Sequence, residues 1–238
     1  MLQCYFLLQL CFLQCARGKL DSAQSSLKEV EKIQEQMSEQ SPLDIRSQVR
    51  YLQGAVHQAS GNLNEALAAY QHPDLALSST SMKTPHGRTH FNICILSVLN
   101  TVVIIRNPRH RLHSQLGDKL NWLSSVVPAS NSKNTTAAYN LMLAVLPDFT
   151  HLQVKQYLSR SLDISKEVSN HQIMSITLGT MSWKWFQGVV GDQALKGSLA
   201  FHAEAKKSGN PMWVSVADGI LSDTFDRKIG RASCRERV

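Results

Sequence analysis

The sequence lacks the short motifs that carry most enzyme chemistry. HExxH, GxGxxG, GxxxxGK[ST] and GxSxG are all absent. Its five cysteines are an odd number and include no CxxC pair, which argues against a disulfide framework and indicates a reducing compartment. We therefore predict no catalytic activity, no cofactor, no metal site and no small-molecule substrate.

Charge is also scarce, at 18% of residues, with a formal net charge of +7. Residues 228–238 hold four of the cations (Lys228, Arg231, Arg235 and Arg237) and one anion (Glu236), which is +3 of that total. The remaining +4 on the body of the chain is too small to predict nucleic-acid binding by itself.

Strand-like alternation is nearly absent, and apolar residues recur at spacings of three and four. The predicted helices are 2–16, 20–37, 44–60, 63–71, 88–106, 111–127, 133–146, 150–168, 172–190, 192–208 and 211–225. The twelve glycines and seven prolines fall largely at the breaks between them, and only 73–87 forms a longer irregular connection. The sequence predicts an all-α fold.

Two apolar stretches each allow more than one structural interpretation. Residues 2–16 are interrupted by glutamines and preceded by no Lys or Arg, so we predict a buried helix rather than a membrane span or signal peptide. Residues 92–106 contain a β-branched run typical of a buried strand, but no partner strand exists, so a buried helix is again predicted. Cys4, Cys11 and Cys15 share one face of the first helix. They are interpreted as small buried hydrophobes, with a thiol metal site as the alternative.

The stretch YLQGAVHQASGNLNEALAAY, residues 51–70, follows the pattern of a tetratricopeptide repeat. Gly54 permits close helix approach, Gly61 makes the turn, and Ala66 and Tyr70 fill the seam between the helices. At two positions where the repeat usually has an aromatic residue, this sequence has Arg50 and His57 instead.

The same outline occurs upstream, with Cys11, Gly18, Ala23 and Leu27 at the corresponding positions. A weaker internal repeat has a spacing of 40 residues. Its matching positions are Lys166, Asn170, Ser175 and Gly179, which recur as Lys206, Asn210, Ser215 and Gly219. Stacked two-helix units of this kind predict a right-handed α-solenoid of helical hairpins over residues 1–226.

Two segments are candidate binding surfaces. RNPRHRLH forms a basic interhelical loop with Arg106, Arg109, His110 and Arg111, which either docks a phosphate or acidic segment or is simply solvated. MSWKWFQ, residues 181–187, places three aromatic residues together, and they cannot all face one core. They either fill the space between repeats or anchor a peptide.

Several segments together resemble the cohesin loading factor family, the tetratricopeptide-rich smaller subunit of the sister-chromatid cohesion loader. They are LNTVVIIRNPRH (99–110), MSWKWFQGVVGDQ (181–193), MWVSVADGILSDT (212–224), GNLNEALAAYQHPDLAL (61–77) and VKQYLSRSLDISKEVSNHQIMSITLGTMSW (154–183). The similarity covers about 20–225 in order. Family members are longer than 238 residues, so the resemblance implies a fragment, whose missing repeats would leave the apolar face of helix 2–16 exposed.

The resemblance implies a non-catalytic, nuclear, chromatin-associated protein that binds the extended N-terminal segment of the loader's large subunit. Cohesin and chromatin would be indirect partners, and no membrane would be involved. First helices of hairpins line the concave face, which nominates Gln48, Tyr51, Gln58, Trp183 and Gln187 as partner contacts. A direct nucleic-acid binder that uses the basic loop is the alternative.

The terminal stretch IGRASCRERV lacks helical periodicity and resembles a translated adaptor remnant. We expect residues 227–238 to be a non-native, disordered tail.

Overall fold

A computed structural model describes residues 2–36, 41–77, 84–186 and 192–235, and for 184–186, 192–193 and 227–235 it describes the backbone alone. The described residues form eleven α-helices and no strand. The helices are α1 (Leu2–Ala16), α2 (Leu20–Gln36), α3 (Leu43–Ala59), α4 (Leu63–Tyr70), α5 (Pro85–Ile105), α6 (Leu116–Val126), α7 (Lys133–Ala144), α8 (His151–Glu167), α9 (His171–Phe186), α10 (Asp192–Ser208) and α11 (Pro211–Arg235). The chain divides into two compact units, 1–135 and 136–238.

The all-α prediction is confirmed, and the predicted helices are all present. Two starts differ from prediction for local reasons. Helix α5 begins at Pro85 because proline suits the first helical position and the Thr84 hydroxyl accepts a hydrogen bond from the amide of Gly87. Helix α6 begins at Leu116 rather than at 111, because the intervening residues form hydrogen-bonded turns.

Helix α11 continues to Arg235, past the boundary predicted at 226. Residues 227–235 contain no proline, and Lys, Arg and Ala propagate a helix that has already nucleated. That residues 227–238 are non-native stays a prediction.

The first unit is built from antiparallel hairpins. Helix α1 packs against α2, and α3 packs against α4 and also against α1, α2 and α5. Its main hydrophobic core consists of Cys4, Leu7, Leu8, Cys11, Ala23, Leu27, Val30, Ile45, Val49, Leu52 and Val56. The outer side of α1 is open to solvent, with Leu2 and Phe6 at 86% and 67% exposure.

Both predicted turn glycines adopt the left-handed backbone conformation that glycine favours. The φ angle is +70° at Gly18 and +81° at Gly61. Within the first hairpin the Cys11 thiol lies 3.3 Å from the carbonyl oxygen of Ala23, and both residues are fully buried. These two seam positions and the two turns are confirmed.

Helix α5 is the core helix of the first unit. It is the one helix in the described part of the chain that is long and apolar enough to cross a membrane, and half of its most apolar window is buried within the protein. Val102 and Ile105 are completely buried. The β-branched run therefore belongs to a buried helix, as predicted, and not to a strand.

In the second unit α8 packs on α9, α9 on α10 and α10 on α11. The two copies of the repeat predicted at a spacing of 40 residues have matching environments only at the starts of their helices. Asn170 caps α9, where its Oδ1 accepts from the amide of Ile173, and Asn210 caps α11, where its Oδ1 accepts from the amide of Met212. Ser175 is buried whereas Ser215 is exposed, so the later positions of the repeat lie in different environments.

Candidate functional site

The seam between α3 and α4 is the best-defined structural feature around the first set of predicted contacts. The Tyr70 ring lies directly on Gly54, where an added Cβ would come within 2.4 Å of the ring carbon Cε1. The Tyr70 hydroxyl donates a 2.8 Å hydrogen bond to Oε1 of Gln58. Burial is the main reason that the pKa of Tyr70 lies well above its usual value, and repulsion from an ionised Tyr51 is the second. The ring is therefore a neutral, fixed element that supports its neighbours.

Tyr51 stands beside this seam and is half-buried. Its ring centroid lies 6.0 Å from that of Tyr70, at an interplanar angle of 42°. Burial raises the pKa of Tyr51 to about 12, although a hydrogen bond with the side chain of Asn100 acts to lower it. Tyr51 is thus an uncharged, half-buried residue that packs against Tyr70 of α4 and bonds to Asn100 of α5.

The three predicted contacts on α3 do not share one environment. Gln48 is only 7% exposed, and its Nε2 donates to the carbonyl oxygen of Asp44 at 3.1 Å, so it packs between helices. Tyr51 and Gln58 are half-buried and reach the surface. A partner could therefore contact Tyr51 and Gln58 on this helix more readily than Gln48.

The aromatic stretch at the end of α9 exposes one large side chain. Trp183 is 63% exposed, which removes it from the core of the second unit. The side chains of Trp185 and Phe186 are not described, and Gln187 lies outside the described residues.

Sequence reasoning missed a second large apolar side chain that is exposed in the second unit. Leu152 is 66% exposed in the first turn of α8, and α8 runs antiparallel to α9. Val154 and Met181 share one hydrophobic cluster, which brings the start of α8 beside the end of α9. The available signal was an apolar residue inside the Thr150–Gln153 capping box, a position that normally faces solvent.

The basic loop has a backbone fixed by its own side chains. The amide of Arg109 donates to Oδ1 of Asn107 at 3.0 Å, and the amide of Leu112 donates to Nδ1 of His110 at 3.1 Å. His113 donates from Nδ1 to the carbonyl oxygen of Ile105 at 3.0 Å. These bonds hold the loop in one conformation.

The cations of that loop face solvent. Arg109 and Arg111 are exposed, and Arg106 and His110 are half-buried. Within the described parts of the chain, none of the three arginines forms an ion pair. Their guanidinium groups are therefore available to an external anion.

Three of the four cysteines whose side chains the structure describes are buried. Burial raises the pKa of Cys94 to about 12, so this thiol stays protonated at neutral pH despite its contact with His90. Cys4 and Cys11 are fully buried, as predicted for small hydrophobes, whereas Cys15 is half-buried. Over the described residues no three His, Cys, Asp or Glu side chains group together as metal ligands.

Comparison with known proteins gives one match. The family model described as cohesin loading factor matches residues 1–232, nearly the whole chain. Searches of curated proteins and of solved structures return no significant match. The family match confirms the resemblance of the sequence segments.

Proposed function

The chain belongs to the cohesin loading factor family, and from that premise we propose that it is a non-catalytic adaptor that binds the extended N-terminal segment of the loader's large subunit. Membership supports a role in cohesin loading. The finer proposal is that this chain holds a disordered segment of its partner along its helical hairpins. Many modest contacts along such a segment are the binding mode for which stacked helical repeats are suited.

The observation that carries the proposal is the exposure of two large apolar side chains in the α8–α9 hairpin, Trp183 and Leu152. A tryptophan at 63% exposure and a leucine at 66% are costly to leave in water, and the tryptophan ring offers a flat apolar anchor. Tryptophan is also the residue type most enriched among those that dominate binding energy at protein interfaces. We place the main anchor of the second unit here, with Gln187 as a further predicted contact.

The first unit contributes a smaller polar-aromatic surface. Tyr51 offers a ring edge, and Gln58 offers an amide whose Oε1 is already fixed by the Tyr70 hydroxyl. The free amide hydrogens of Gln58 suit a backbone carbonyl of an extended peptide. The predicted contact Gln48 is buried beneath this surface, where it donates a hydrogen bond to the carbonyl oxygen of Asp44.

The same proposal assigns the chain to chromatin in the nucleus, where it acts through the loader complex. Cohesin and chromatin are then indirect partners. No membrane and no small-molecule substrate enter the proposal.

Fluorescence anisotropy of the labelled N-terminal segment of the large subunit, titrated with the full chain, tests this proposal. We expect saturable binding that weakens roughly 30-fold for Trp183→Ala, because loss of a buried anchor costs about 2 kcal/mol. Leu152→Ala should weaken binding less. Leu199→Ala is the matched control, because this leucine of α10 is also exposed, at 45%.

If Leu152→Ala and Leu199→Ala bind the peptide with equal affinity, and Trp183→Ala binds it as tightly as the unaltered chain, this surface does not contain the anchor. No binding by a chain shown to be helical would contradict the adaptor proposal itself.

A second candidate function is direct nucleic-acid binding through the basic loop, favoured by its fixed backbone and by three arginines that have no ion pair among the described residues. Duplex DNA would be titrated at several salt concentrations, with Arg109→Ala/Arg111→Ala compared against Lys28→Ala/Lys32→Ala. The control removes the same charge from exposed positions of α2. Specific use of the loop predicts that only the arginine pair makes the salt dependence shallower, by about 0.9 per lost phosphate contact. Equal effects of both pairs would indicate a diffuse charge effect.

A further inference from the structure

Two dipeptides in this chain have the Ser/Thr-Pro sequence that proline-directed kinases require, Ser41-Pro42 and Thr84-Pro85. The structure separates them. Ser41 is 7% exposed, and its hydroxyl accepts from Nε2 of Gln34 while its carbonyl accepts from Arg46. Thr84 is exposed. A kinase that acts on the folded chain therefore has access to the second dipeptide and not to the first.

The backbone at Thr84 suits a kinase substrate. Its φ and ψ angles of −102° and 154° are extended, which is the conformation in which kinases hold the residue that they modify. The residue after it is Pro85, the first residue of α5, and Pro85, His86 and Arg88 are all exposed. An exposed first turn opens at little cost, so the segment can enter a kinase active site without unfolding the core.

The surroundings of Thr84 also suit the product. The hydroxyl already accepts from the amide of Gly87 at 3.0 Å, and phosphate oxygens would take over that bond at the positive end of a 21-residue helix. Arg88 lies one turn further on and has no ion pair among the described residues. The acid that contacts this turn, Asp44, is 4% exposed and engaged with His86 at 2.9 Å.

We propose that Thr84 is a phosphorylation site for a proline-directed kinase, and that the phosphate strengthens the start of α5. In the reaction Oγ1 of Thr84 forms a bond to the γ-phosphorus of ATP. The bond from that phosphorus to the bridging β,γ-oxygen breaks, ADP leaves, and the hydroxyl proton passes to the catalytic carboxylate of the kinase. This proposal is independent of the partner-binding function.

Incubation of the full chain with ATP and a purified proline-directed kinase, followed by mass-spectrometric mapping, tests the site. In the folded chain we expect phosphate at Thr84, with Ser41 modified at least about tenfold more slowly because a kinase reaches it only after local unfolding. The heat-unfolded chain is the internal control, since both dipeptides should then react. Thr84→Ala should lose the modification of the folded chain.

Three results would overturn the site. Equal rates at Ser41 and Thr84 in the folded chain would refute the argument from access. A kinase that modifies the unfolded chain but leaves folded Thr84 unmodified would refute the argument from exposure, and failure on both forms would exclude this kinase class.

The effect of the phosphate is measured separately by amide hydrogen exchange. Exchange at His86, Gly87 and Arg88 should slow about two- to fivefold in the phosphorylated chain, as expected for an anion at a helix N-terminus. Unchanged or faster exchange would refute the stabilising role of the phosphate.

Discussion

Gly54→Ala tests the packing argument at its tightest point. The added Cβ would lie 2.4, 2.6 and 2.9 Å from Cε1, Cδ1 and Cζ of Tyr70, so the ring must move by about 1 Å to restore ordinary van der Waals contact. Tyr70 is 4% exposed and its hydroxyl is bonded to Gln58, which leaves it little room to move. Overpacking of this kind costs about 1–3 kcal/mol.

That cost opposes the ordinary benefit of replacing a helical glycine, which is about 1 kcal/mol in favour of alanine. The difference is a net loss of about 0–2 kcal/mol, and we expect its upper half, about 1–2 kcal/mol, because the contact at Gly54 is closer than real Cβ atoms approach a ring carbon. Gly117→Ala in α6 is the matched control. No atom lies within 4 Å of its added Cβ, so this variant should gain stability.

Urea denaturation followed by circular dichroism gives the free energies, and amide exchange in α3 and α4 assigns them to the first unit. Combining Gly54→Ala with Tyr70→Leu should recover part of the loss, because the smaller side chain vacates the contact. The packing argument is refuted if Gly54→Ala is as stable as Gly117→Ala, or if Tyr70→Leu gives no recovery.

Two further predictions concern the second unit. Gly179→Ala places a Cβ 2.9 Å from Cζ of Phe201, a fully buried ring, so we expect a loss of about 1 kcal/mol in urea denaturation, smaller than at Gly54. Burial would raise the pKa of Glu204, but hydrogen bonds from Lys207 and His171 outweigh it and hold that pKa below its usual value. The stability from this carboxylate should be present above about pH 4.5 and decrease as the pH falls through the lowered pKa, whereas Glu204→Gln should lack this decrease in acid titrations.

The helices were predictable because each carries its apolar residues on one face and is bounded by a recognisable break. Gly18 and Gly61 marked turns that require positive φ, and Gly54 with Tyr70 marked a close helix crossing. These features depend on local spacing, which the sequence states directly. The start of α6 was mispredicted because the side chains of Asn107 and His110 stabilise turns that periodicity does not reveal.

The binding surface was harder to predict, because exposure depends on which neighbouring helix covers each face. Gln48 and Tyr51 lie three residues apart on α3 and share a helical face, yet the glutamine is 7% exposed and the tyrosine is half-buried. Leu152 was missed because an apolar residue in a first turn has no periodic partner. Both cases need the three-dimensional packing.

The seam and the proposed surface of the first unit are mechanically connected, which allows one variant to test both. Tyr70 lies against Gly54 on one side, and its ring centroid is 6.0 Å from that of Tyr51. A displacement of Tyr70 would therefore shift Tyr51 and break the bond to Gln58. If Tyr51 and Gln58 contact the partner, Gly54→Ala should lower affinity for the peptide even where the chain remains fully folded. Trp183→Ala should lower affinity with no loss of stability, because its side chain is exposed in the free chain. A folded Gly54→Ala variant with unchanged affinity would leave the first unit without a partner contact at this seam.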